Sequence, residues 1–99
     1  MLFHITHTHN HETCPAVHVD RRKTLDECWE ALRTTPEIRV VEAYAAPLDH
    51  IFHITVEADD LAAVVKAMSP LNALGSAQTL PVMPLDDLLL LVGEGASRP

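Results

Sequence analysis

Residues 2–9 alternate between apolar Phe3 and Ile5 and polar His4, Thr6 and Thr8, a period of two that predicts a β-strand. Polar residues around Pro15 end it. Thr24-Leu25-Asp26-Glu27 has the form of a capping box, in which the Thr24 hydroxyl and the Glu27 carboxylate satisfy the first free amides of a helix. Leu25, Cys28, Trp29 and Leu32 follow at i, i+3, i+4 and i+7, the spacing of a helix that buries one face. Thr34-Thr35-Pro36 stops that helix, because the residue before a proline is driven out of the helical region. Residues 38–46 and 50–57 then read as two strands joined by a Pro47-Leu48-Asp49 turn, a hairpin. Asp59 or Asp60 caps a second helix with Leu61, Val64, Val65 and Met68 on its apolar side. Pro70 and Gly75 close that region, and residues 76–83 form a weaker strand. Pro81 and Pro84 suit its position at an edge or a strand end. Pro84 can open a last short helix, with Asp86 and Asp87 in its first turn and Gly93 past its end.

The order is β-α-β-β-α-β with a short C-terminal helix. It predicts an α+β, ferredoxin-like fold, a four-stranded antiparallel sheet with two helices on one face. One domain over residues 1–93 and a flexible tail over 94–99 account for the chain. No repeat, linker or low-complexity segment interrupts it.

Parity along the strands assigns the faces. Phe52, Ile54 and Val56 belong under the helices, together with Phe3 and Ile5. His53, Thr55 and Glu57 then share the opposite, open face with His4, Thr6 and Thr8. Strands one and three are central neighbours in this topology, so His4 and His53 can meet there. Glu42 or Tyr44 can join them if the register of strand two permits.

Composition narrows the function. An apolar content of 47% in 99 residues supports a folded core, and a net charge of −7 argues against a nucleic-acid module. No signal-peptide pattern opens the chain, and its longest apolar run, Leu88 to Val92, is too short to cross a membrane, so the cytoplasm is the expected location. Arg21-Arg22-Lys23 reads as a solvated loop before the first helix, and the aspartates at 59, 60, 86 and 87 as helix-start charges. In a reducing compartment Cys14 and Cys28 are not expected to pair, and Cys28 lies on the apolar stripe as a small core residue.

The chemistry concentrates at the N-terminus. His4, His7, His9, His11 and His18 are five of the seven histidines, and Cys14 lies among them. If the strand persists, His7, His9 and His11 stand on one face at steps of roughly 6.5–7 Å. Two imidazoles so placed, with Cys14 and His18 from the following loop, form a donor set suited to zinc, nickel or copper. The leading expectation is therefore a small soluble protein binding a divalent transition metal through His7, His9, His11, Cys14 and His18. The alternative is an enzyme acting on a small molecule, with His4 or His53 as acid or base beside Tyr44.

The element order, the chain length and the hairpin from Ala43-Tyr44-Ala45-Ala46-Pro47 to His53 resemble the stand-alone dimeric α/β-barrel domains. The Met-Leu-Phe opening and the closing strand with its short acidic helix resemble small bacterial members of that group. The resemblance implies pairing of two copies, or a higher oligomer, through open sheet faces. The group spans haem-degrading and cofactor-free monooxygenases, lactone isomerases and nickel-binding proteins, so what it implies about function is broad. A monooxygenase- or isomerase-like reaction in the barrel cavity is the enzymatic form of that expectation.

Overall fold

A computed structural model describes residues 1–97, and side-chain environments through residue 93. Strand β1 spans Leu2–His9, helix α1 Val19–Thr34, β2 Ile38–Ala46, β3 Ile51–Ala58, α2 Leu61–Met68, β4 Gly75–Val82 and α3 Leu85–Ser97. A 3₁₀ turn, Ser69–Ala73, joins α2 to β4. The strands lie in the order β2-β3-β1-β4 and every pair is antiparallel, which is the ferredoxin-like arrangement. Among the described residues no helix is long and apolar enough to cross a membrane.

The core lies where strand parity puts it. Phe3 and Ile5 of β1 and Ile54 and Val56 of β3 pack with Cys28 and Leu32 of α1 and Val64 and Met68 of α2. Asp60 is the α2 cap, its carboxylate accepting from the Ala62 amide at 2.9 Å. Leu61 and Val65, expected on the buried side of α2, are exposed, as the helix turns only one narrow edge to the sheet. Trp29 also leaves the core and lies 36% exposed, with the Arg33 guanidinium 5.8 Å from its ring centroid. Proline-bearing β4 takes an edge of the sheet, as its composition predicts.

Helix α1 begins earlier than the Thr24 box suggests. Its N-cap is His18, so Thr24 lies inside the helix and Arg21, Arg22 and Lys23 occupy its first turns rather than a loop. No glycine or proline interrupts residues 16–24. The Cys14 carbonyl accepts from the amides of Val17 and His18 and starts the turn. Asp20 favours the helix start, and an Arg22–Asp26 ion pair at 3.1 Å spans one turn.

Strand β2 carries a bulge between Val40 and Glu42. Val40 faces Val56 under the helices, yet Glu42, two positions on, faces Thr55 on the open side. Val41 is the extra residue, and it inverts the parity of everything after it. Glu42 and Tyr44 therefore reach the open face, while Ala43 and Ala45 turn beneath α1.

Gly75 opens β4 beside the end of β1. A Cβ there would lie 2.0 Å from the Thr8 carbonyl oxygen, so only glycine admits this approach. At the other end, Gly93 breaks α3 with φ 54° and ψ −151°, where the sequence places its end. Helical backbone resumes to Ser97, within the stretch expected to be a tail, and Arg98 and Pro99 lie outside the described residues.

Candidate metal centre and open-face histidine pair

The end of β1, the loop after it and the start of β3 bring three donors together. Ligand atoms of His9, Cys14 and His50 all lie within 4.8 Å of one another. His9 and Cys14 are buried, 8% and 6% exposed, and His50 is half-buried. The β1–β3 register, Thr8 opposite Ile51, runs on to set His9 beside His50. The His9 amide donates to the His50 carbonyl at 3.0 Å. His50 holds φ at 56°, a left-handed conformation uncommon for any residue but glycine.

The remaining predicted ligands sit around this group. His7 is fully buried, and its Nε2–H donates to the Leu71 carbonyl at 3.0 Å. His11 leaves the strand face because β1 ends at His9. Asn10 and Thr13 then close a turn, with the Thr13 amide donating to Asn10 Oδ1 at 3.0 Å. His11 is exposed, its ring centroid 6.3 Å from that of His50. His18 caps α1 from its backbone. The sequence puts His9 and Cys14 in the expected ligand set and leaves His50 outside it, with a position from which it can reach either the hairpin turn or this site. The available signal was its position at the start of the strand paired with the histidine run.

Four buried ring nitrogens have no hydrogen-bond partner within the described protein: Nδ1 of His7, His9 and His50, and Nε2 of His18. Leaving such an atom unmatched costs about 1–3 kcal/mol, so each calls for a physical reason. Burial lowers the pKa of His7, opposed by the Leu71 hydrogen bond. Burial also lowers that of His9, helped by repulsion from His7 and His50. Both imidazoles are thereby held neutral, the form that presents a lone pair to a metal. A cavity of about 450 Å³ opens from His9, Cys14 and His50 and runs between α1 and the β2–β3 hairpin.

The open face carries a second constellation, the one expected at His4 and His53. The Thr55 hydroxyl donates to Glu42 Oε1 at 3.4 Å, and the His4 Nδ1–H donates to Thr55 at 3.0 Å. His4 Nε2 then accepts from the His53 Nδ1–H at 3.4 Å, and the two rings stack with centroids 5.6 Å apart. The contact is diagonal, since His4 is opposite Thr55 and His53 opposite Thr6. Tyr44 stands opposite His53 with its side chain 66% exposed. His4 and His53 hydrogen-bond to their neighbours, whereas Nδ1 of His7, His9 and His50 has no partner among the described residues.

No family model and no curated protein sequence matches the chain. Among solved structures, the chain is similar to a Deinococcus radiodurans protein provisionally assigned as an antibiotic biosynthesis monooxygenase. The likeness has a TM-score of 0.47 and 17% identity, over 84% of this chain and 92% of that one.

Proposed function

We propose that this is a transition-metal-binding protein whose centre is formed by His9, Cys14 and His50. The observation that carries this reading is the convergence of three donor atoms within 4.8 Å, two of them on histidines whose buried Nδ1 has no partner. Around a tetrahedral zinc, nitrogen and sulfur donors lie about 3.3–3.7 Å apart, so small side-chain rotations would close the set. Two imidazoles and a thiolate suit zinc, nickel or copper. Bound there, such an ion supplies Lewis acidity or an exchangeable coordination position, because three protein donors leave a fourth free. His7 supports the centre from behind, anchored to Leu71, rather than completing it.

Elemental analysis of untagged protein, purified without chelator or metal-affinity resin, tests this reading. About one zinc, nickel or copper per chain is expected, lost in the His9→Ala, His50→Ala double variant and retained in His11→Ala, His18→Ala. Protein that is metal-free and ignores added metal would overturn it. So would wild-type stoichiometry in the first double variant.

A second reading is an enzyme using the open face, supported by the Glu42–Thr55–His4–His53 chain. That order of donors can pass a proton between the carboxylate and an outer imidazole. It calls for a small-molecule substrate seated against His53. Protection of His53 from histidine-directed acylation by such a compound, lost in His4→Ala, would support it; indifference of His53 to every candidate substrate would count against it.

A further inference from the structure

We infer that the centre takes an apolar monoanionic small molecule, whose head group completes the coordination at His9, Cys14 and His50 and whose body fills the cavity under α1. The inference rests on the metal-binding reading and goes on to name what shares the site. Its first ground is shape. The cavity of about 450 Å³ falls within the range of small-molecule sites and reaches the three donors. It exists because the bulge in β2 turns Ala43 and Ala45 beneath α1, opposite Ile54 and Phe52. Methyl side chains stand there where larger ones would fill the space, and Leu25 and Trp29 form part of the remaining wall.

The second ground is polarity. The charged side chains on the wall, Arg22 and Asp26, are bound to each other at 3.1 Å and add no net charge. Away from the donors the wall is therefore apolar, which disfavours sugars, nucleotides and other strongly hydrated bodies. The third ground is charge balance. Two neutral imidazoles and one thiolate leave a divalent ion with one positive charge, which a single anionic head neutralises. A carboxylate or thiolate on an aromatic or alkyl body meets all three conditions.

The test uses the full chain loaded with cobalt(II), with cobalt content measured on each sample before titration. Phenylbutyrate, acetate and phenylbutanol are then added, and the cobalt visible bands are followed. Phenylbutyrate should bind roughly a hundredfold more tightly than acetate, because its body leaves water. It should also outcompete phenylbutanol, which lacks the charge. Ala43→Leu and Ala45→Leu, each retaining cobalt, should lower phenylbutyrate affinity by about tenfold or more and leave acetate unchanged. Equal affinity for acetate and phenylbutyrate would overturn the inference, as would wild-type phenylbutyrate affinity in both leucine variants. A wild-type chain that takes up no cobalt fails earlier, and that result removes the metal reading itself.

Discussion

His9 and His50 are joined twice: the backbone amide of His9 donates to the carbonyl of His50 at 3.0 Å, and their rings meet edge-on with centroids 5.3 Å apart. The first contact extends the β1–β3 ladder by one bond. The second sets a buried imidazole edge-on to a half-buried one, with a buried Nδ1 on each unmatched. Histidine at φ 56° carries a backbone cost in that position that glycine would not.

Glycine adopts this conformation without the steric cost that a Cβ imposes. His50→Gly is expected to stabilise the metal-free protein by about 1 kcal/mol, since it relieves that cost and removes an unmatched nitrogen. The same change should abolish metal retention. Urea unfolding in chelator, with metal content measured in parallel, reads both effects. A destabilised His50→Gly, or one that keeps its metal, contradicts this account of the residue.

The neutral state of His7 and His9 makes the metal-free fold sensitive to acid. In the unfolded chain both take up a proton near pH 6.5, whereas in the folded protein their pKa values lie lower. The unfolded state therefore binds more protons in the window below pH 6.5, and acid favours it. Stability should be fully present above that window and fall as the pH drops through it, by at most about 1.4 kcal/mol per pH unit for each group. His7→Leu should flatten the dependence. Unfolding midpoints in chelator at several pH values give the slope, and a slope unchanged by His7→Leu would remove His7 from the cause.

Strand parity made the sheet legible: the alternation of Phe3 and Ile5 with His4 and Thr6 assigned both faces of β1 correctly. It also foresaw the His4–His53 contact, although the pair is diagonal rather than directly opposite. Elsewhere the legible signal was local and the deciding one was not. Thr24 to Glu27 has the form of a cap, yet the carbonyl of Cys14 and the Arg22–Asp26 pair carry the helix back to Val19. The set His7, His9, His11 required the strand to persist, and the Asn10–Thr13 turn ends it first. His50 enters the site through register, lying 41 positions from His9 along the chain and one hydrogen bond from it in space.

The bulge at Val41 offers a direct test of that register. Deleting Val41 leaves Val40 opposite Val56 and Glu42 opposite Thr55, joined by a regular strand. The deletion is expected to change stability by less than about 1 kcal/mol and to keep the open-face hydrogen bonds. Deleting Ala43 instead either keeps the bulge and turns Tyr44 under the helices, or absorbs the bulge and turns Glu42 there, at a cost above about 2 kcal/mol. Thermal or urea unfolding of the two deletions separates the outcomes. Equal costs would show that the bulge is not what sets the faces.

Helix α3 exposes an apolar surface that its own chain does not cover. Leu89, Leu90 and Leu91 are 57%, 81% and 73% exposed, and the helix makes at most marginal contact with the other elements. It also extends the molecule: the radius of gyration is 16.0 Å, against about 13 Å for a compact chain of this length. Leu80 of β4 and Tyr44 of β2 leave further apolar area on the open face of the sheet. Surfaces of this kind lower their free energy by self-association. Sedimentation of the wild type is expected to show a dimer or larger assembly at micromolar concentration. The Leu89→Glu, Leu90→Glu variant should sediment as a smaller species, with its urea unfolding midpoint little changed once wild type is diluted to the same state, because neither leucine supports its own domain. A monomeric wild type would mean that α3 meets water, or a different partner, instead of a second copy.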